Sequence, residues 1–119
     1  MTERQPHVRM VILSTDDLDA SVKFYSDTLG FPLKFRDGNH FAALDGGAIT
    51  LALATALDHP MPGQVVVGVK IDDVDGTAEA LDEAGGAIAR APYDDAHERR
   101  AVVCDGHGNG LVLYKPLPR

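Results

Sequence analysis

Thr15-Asp16-Asp17-Leu18-Asp19-Ala20-Ser21 returns 56 positions later as Ile71-Asp72-Asp73-Val74-Asp75-Gly76-Thr77. Each copy follows an apolar run, Met10 to Leu13 in one case and Val65 to Val69 in the other. Each precedes a helical pattern that ends in glycine, at Gly30 and at Gly85-Gly86. Order, spacing and flanks agree, so the chain reads as two copies of one module, residues 8–56 and 64–116. Between them lies His59-Pro60-Met61-Pro62-Gly63, with two prolines and a glycine, which neither helix nor strand is expected to cross.

In the first module Val8 to Ser14, rich in branched residues, predicts a buried strand. Asp16 or Asp17 caps the helix that follows, and Leu18, Val22, Tyr25 and Leu29 recur at helical spacing as its apolar face. Gly30 supplies the left-handed C-terminal position and Pro32 blocks continuation. Strands are expected over Leu33 to Arg36, His40 to Leu44 and Ala48 to Ala54, with turns at Asp37-Gly38-Asn39 and Asp45-Gly46-Gly47. In the second module Val65 to Ile71 reads as a strand and Val74, Ala78 and Leu81 as a helix face. Ala87 to Ala91, Arg99 to Cys104 and Leu111 to Tyr114 complete the strands, separated by turns at Pro92-Tyr93-Asp94-Asp95 and Gly106-His107-Gly108-Asn109. The fold class is therefore α+β, two β-α-β-β-β modules whose sheets are expected to curl into one cup. The face without helices is the natural ligand wall, and a homodimer is expected because one chain offers only short strands.

At 119 residues and 45% hydrophobic content the chain, residues 1–119, is expected to be a single domain with a modest core. No apolar run approaches the roughly 20 residues of a membrane-spanning helix. Met1 to His7 is polar and lacks the apolar section of a secretion signal. A lone Cys104 forms no internal disulfide, which suits a cytoplasmic setting. The formal charge of −7 argues against a nucleic-acid partner, which needs a basic face.

Asp16 to Phe31, with Phe24-Tyr25 and Leu29-Gly30-Phe31, resembles the opening helix of the vicinal oxygen chelate superfamily, the glyoxalase/bleomycin resistance protein/dioxygenase family. Asp105-Gly106-His107-Gly108-Asn109 followed by Gly110 to Leu113 resembles that family's closing segment. The resemblance covers nearly the whole chain and implies the cup fold. It also implies four metal-ligating positions, one on each of four strands, which fall here on Met10, Ala52, Val66 and Val112. None offers the imidazole or carboxylate that zinc, iron or manganese takes, and a shift of one residue changes nothing. The chain is thus expected to belong to a metal-free branch, without metal or other cofactor and without the metal-polarised chemistry of glyoxalases and dioxygenases.

The histidines show neither HxxxH nor HxH spacing and read as exposed loop residues, though His40 and His97 open predicted strands near the cup mouth. Cys104 precedes Asp105, which opposes thiolate formation and favours a structural role. Asp16, Asp17, Asp72 and Asp73 read as helix caps rather than acid/base pairs. Strand alternation sends one of Arg99 and Arg100 into the cup to meet an anionic or carbonyl group, with Lys70 as a second rim cation. Phe35, Phe41, Tyr93 and Tyr114 are stacking walls, Gly68 and Gly110 leave room for a guest, and the Met10 thioether adapts to several shapes. The expected ligand-binding set is Met10, Phe35, His40, Phe41, Thr50, Ala52, Val66, Gly68, Tyr93, Arg100, Gly110, Val112 and Tyr114, with no catalytic residue. A binder that sequesters an aromatic or polycyclic natural product or antibiotic fits this lining. A metal-free enzyme acting on a biosynthetic intermediate is the alternative, and a regulatory module with a filled cup is the third reading.

Overall fold

A computed structural model describes residues 5–118. Two compact units emerge, one spanning Arg9–Val66 and the other combining residues 5–8 with 67–118, so that β1 and β5 each cross the boundary at one end. The first contains β1 (His7–Ser14), α1 (Leu18–Val22) running on into a π-helical segment Lys23–Thr28, β2 (Leu33–Asp37), β3 (Phe41–Asp45) and β4 (Thr50–Ala54). Its strands lie in the order β2-β3-β4-β1, with β1 parallel to β4 and the other pairs antiparallel. The second contains β5 (Val66–Lys70), α2 (Val74–Glu83), β6 (Ala87–Asp94), β7 (Glu98–Cys104) and β8 (Gly110–Pro116), ordered β5-β8-β7-β6. Each unit is thus β-α-β-β-β, as the repeat implies.

The two helices begin alike. Asp17 and Asp73 hold non-helical backbone at the N-caps, and their carboxylates accept from Ala20 N–H at 3.1 Å and Gly76 N–H at 2.9 Å. The ends differ by one residue. After α2, Gly85 at φ +109° donates its N–H to the Asp82 carbonyl at 3.3 Å, and Gly86 donates to Leu81 at 3.0 Å, the paired closure of a Schellman motif. In the first unit Gly30 (φ +105°) donates to Ser26 and Phe31 to Tyr25, each bond reaching one residue further back. Thirteen positions separate Asp17 from Gly30 but twelve separate Asp73 from Gly85, and the π-helical turn absorbs the extra residue. This corrects the expected apolar face. Leu18, Val22 and Tyr25 pack inward, but the widened turn rotates Leu29 out to 60% exposure, and Phe31 packs in its place.

One apolar layer lies under each helix. Leu18 meets Ala42, Leu44 and Leu53, all buried, with Leu13 and Leu51 at the margin. Val74 and Ala78 meet Ala101, Val103 and Leu113, flanked by Val69, Ile71 and Leu81. Burying a leucine or valine here contributes about 1.5–3 kcal/mol per side chain. Pro92-Tyr93-Asp94, expected as a turn, instead continues β6 through two register shifts. Pro92 falls within the second of these shifts on an edge strand, where a residue without an N–H is tolerated. Among the described residues no helix is long and apolar enough to cross a membrane.

Candidate functional site

Alternation along each strand assigns the expected residues to faces. In the first unit Leu13, Ala42, Leu44 and Leu53 point under the helix, so Met10, Phe35, Phe41, Thr50 and Ala52 lie on the other side. There Met10 pairs with Thr50, and Ala52 lies between Ile12 and Ala43. The Phe35 and Phe41 rings stand 5.7 Å apart at 34°, and Phe35 remains 55% exposed, so the pair forms an accessible aromatic ledge.

In the second unit Val69, Ala101, Val103 and Leu113 face the helix. Val66, Gly68, Gly110, Val112, Tyr114 and Arg100 therefore share the opposite face. Arg100 is in register with Tyr114 on one side and Tyr93 on the other. Arg99 points the other way, bidentate to Asp75 of α2 at 2.7 Å and bonded to Asp94 at 2.9 Å. These carboxylates hold its guanidinium far above its usual range, and it serves to clamp the helix. Arg99 is thus committed to the helix side, and Arg100 lies on the opposite face. Arg100 Nε is excluded from solvent without a hydrogen bond; its neighbouring carboxylate oxygen, Glu98 Oε1, stands at 3.8 Å. Arg90, in register with Val102, lays its guanidinium carbon 3.6 Å over the Tyr93 ring.

Glu98 and Arg90 belong to this face and escaped selection from the sequence. Glu98 is two residues from Arg100, so the same alternation that selected Arg100 also reaches it. Arg90 was hidden by the bulges of β6, which break simple alternation. Burial pushes the Glu98 carboxyl above its ordinary pKa against the pull of Arg100, with Asp95 adding to the rise.

His40 does not join the aromatic ledge through its ring. It sits in the turn before β3, with Nδ1 bonded to Asp58 and Nε2 3.7 Å from Asp37. His59, expected in an exposed linker, is buried at 5% exposure, which is a correction. Its Nδ1 accepts from Met61 N–H at 2.9 Å, so Nε2 carries the proton toward the Ile12 carbonyl at 3.3 Å. The ring anchors the Pro60–Gly63 stretch onto β1 and does so in the neutral form. Burial lowers the His59 pKa, whereas the Asp58 bond raises that of His40. A proton-NMR titration should show His40 protonating above 6.5 and His59 below it. His59 therefore adds stability that is present above 6.5 and is lost as pH falls through its depressed pKa; the His40 contribution runs oppositely and fades as pH rises. A His59 midpoint at or above 6.5 would contradict this assignment.

Asp105 explains the closing segment as turn chemistry. Its carboxylate accepts from the N–H groups of His107 at 2.8 Å and Asn109 at 3.0 Å and from Asn109 Nδ2 at 2.8 Å, which also lowers its pKa. At Met10, Ala52, Val66 and Val112, the positions to which the family resemblance assigns metal ligands, the side chains are a thioether and alkyl groups, which do not fit a divalent ion taking nitrogen and oxygen ligands. Among the described residues no group of three or more His, Cys, Asp or Glu gathers elsewhere as an alternative.

The family model described as the Glyoxalase/Bleomycin resistance protein/Dioxygenase superfamily matches residues 4–113. An uncharacterized protein of Mycolicibacterium smegmatis is 69% identical over 112 residues, covering 94% of this chain and 96% of the relative. A glyoxalase/bleomycin resistance protein/dioxygenase superfamily member from Vibrio splendidus superposes with TM-score 0.74 at 20% identity, over 92% of this chain and 98% of its own. Methylmalonyl-CoA epimerase from Mycobacterium tuberculosis superposes with TM-score 0.71 at 20% identity, over 93% and 88%. At such identities the two structures speak for the fold alone.

Proposed function

Because the chain belongs to the glyoxalase/bleomycin resistance protein/dioxygenase superfamily, we propose that it is a metal-independent binding protein that sequesters an aromatic natural product or antibiotic and thereby confers resistance. The observation that carries this reading is the helix-free face of the second unit. Tyr93 and Tyr114 flank Arg100 there, and its Nε lacks the hydrogen bond that a buried donor needs. A carbonyl or acidic oxygen on a flat guest supplies that bond, while the rings bury the guest's faces. The alkyl side chains at Ala52, Val66 and Val112 support a binding role without a Lewis acid. A homodimer in the cytoplasm is part of the same proposal.

A second reading, a metal-free enzyme acting on a biosynthetic intermediate, is favoured by Glu98. A half-buried carboxyl whose pKa is raised by burial beside an arginine has the makings of a general base. The two readings separate by incubating the protein with aromatic polyketides and quinones overnight and recovering the bound compound. Sequestration predicts the compound returns with its mass and stereochemistry unaltered. A changed product would replace the binder with the enzyme.

A further inference from the structure

We propose that Arg100 and Glu98 together form a proton-coupled subsite for the carboxylate of an aromatic acid. This rests on the ligand-binding reading of the same face and adds the guest's chemical class. Three features of the cluster lead to it. Arg100 stands one strand from Tyr114 and one from Tyr93, so a planar group gripped by its guanidinium arrives between two phenol rings. Its guanidinium forms long ion pairs, 3.6 Å to Asp95 Oδ2 and 3.8 Å to Glu98 Oε1, and these leave its buried Nε without a hydrogen bond. Asp95 is already committed, because its Oδ1 accepts from the His97 and Glu98 N–H groups at 2.8 and 2.7 Å and holds the β6–β7 turn.

Glu98 is the remaining acidic group and lines a hollow of about 440 Å³ with His97, Pro116 and Leu117. In register Glu98 opposes Pro116, one same-face step from the Arg100–Tyr114 pair. The charged groups acting on it are Arg100, Asp95, His97 and Lys70; the three cationic or basic groups favour its anion, while burial and Asp95 oppose it. A carboxylate seated on Arg100 adds a second negative charge beside Glu98 and takes over its counter-ion. Glu98 then takes up one proton from solvent, and its O–H donates to the incoming carboxylate. The only bond formed is the Glu98 O–H, its proton coming from a hydronium ion or buffer acid, so one proton enters with the ligand. Lys70, exposed on the same face, adds attraction for the anion and none for a neutral analogue.

The test uses 2-naphthoate and its neutral isostere 2-naphthamide as probes, titrated calorimetrically into the intact protein at pH 6 and pH 8 in two buffers of different ionisation enthalpy. Naphthoate should bind about ten-fold or more tightly than naphthamide at pH 6, with net proton uptake and with affinity falling as pH rises. Arg100→Gln should weaken naphthoate about ten-fold and leave naphthamide within about two-fold. Glu98→Gln should abolish the proton uptake and flatten the pH dependence while retaining naphthoate binding. Circular dichroism melts of both variants establish that they fold. Equal binding of the two probes, or proton uptake that survives Glu98→Gln, overturns the subsite. If that happens while the natural products still bind, the sequestration reading stands; if they too fail to bind the folded protein, both fall.

Discussion

Leu113→Ala is expected to destabilise the protein by about 2–5 kcal/mol, the range for deleting most of a buried leucine from a close-packed core. Leu113 is 1% exposed and packs with Val74 and Ala78 of α2 and with Ala101 and Val103 of β7. The substitution therefore removes the contact that seats the helix on its strands. The remaining neighbours are backbone-constrained strand residues or helix residues pinned by the Arg99–Asp75 clamp at 2.7 Å, so the cavity has little scope to collapse. In a domain whose total stability is of order 5–15 kcal/mol, such a loss lowers the melting temperature by roughly 10 °C or more. Arg100→Gln, on the other face, should cost under about 1 kcal/mol. Thermal unfolding followed by circular dichroism compares the two directly; similar melting temperatures would mean that Leu113 does not occupy the core assigned to it.

Gly86→Ala is expected to cost about 2–4 kcal/mol, for a different physical reason. A methyl group at Gly86 would stand 2.5 Å from the Cys104 carbonyl oxygen and 3.0 Å from that of Leu81. Both are backbone atoms, one in β7 and the other closing the end of α2, so neither can swing aside as a side chain would. Either the β6–β7 pairing shifts or the Schellman closure opens. Gly85→Ala next door meets no atom within 4 Å and suffers only its positive φ of +109°, a strain of about 1–2 kcal/mol. Urea unfolding of the two variants should rank Gly86→Ala as the more damaging. The reverse order would show that the helix end, not the close approach to Cys104, dominates at this junction.

Where a residue acts on its own neighbours, the sequence was readable. Asp17 and Asp73 cap their helices through bonds three residues long, and Gly30 and Gly85 end them with positive φ, all local chemistry. Tyr114 followed from alternation with Val112, whereas the faces of Phe35 and Phe41 needed the pairing of β2 with β3 and of β3 with β4. Alternation could not choose between Arg99 and Arg100, because Ala101-Val102-Val103-Cys104 is apolar on both parities; the Asp75 and Asp94 carboxylates make the choice. The π-helical turn escaped a 3.6-residue period, which has no place for one added residue. The burial of His59 escaped as well, since its partners are the Ile12 carbonyl 47 positions away and a backbone N–H of its own loop. The prolines and glycine that follow the ring read as open linker, although the Met61 N–H among them folds back onto it.

The family resemblance assigns metal ligands to Met10, Ala52, Val66 and Val112, none of which offers nitrogen or oxygen, and Tyr93, Arg100 and Tyr114 lie on the helix-free face of the second unit. Metal-free binding is the proposal that these side chains favour. It is tested most directly by native mass spectrometry of the intact protein with a panel of aromatic polyketides, quinones and glycopeptides, with and without a strong chelator. Metal-free sequestration predicts a complex that holds one unmodified compound and survives the chelator unchanged. A complex that disappears on chelation and returns with added zinc or manganese would contradict it and place a metal ion back at the centre of the site.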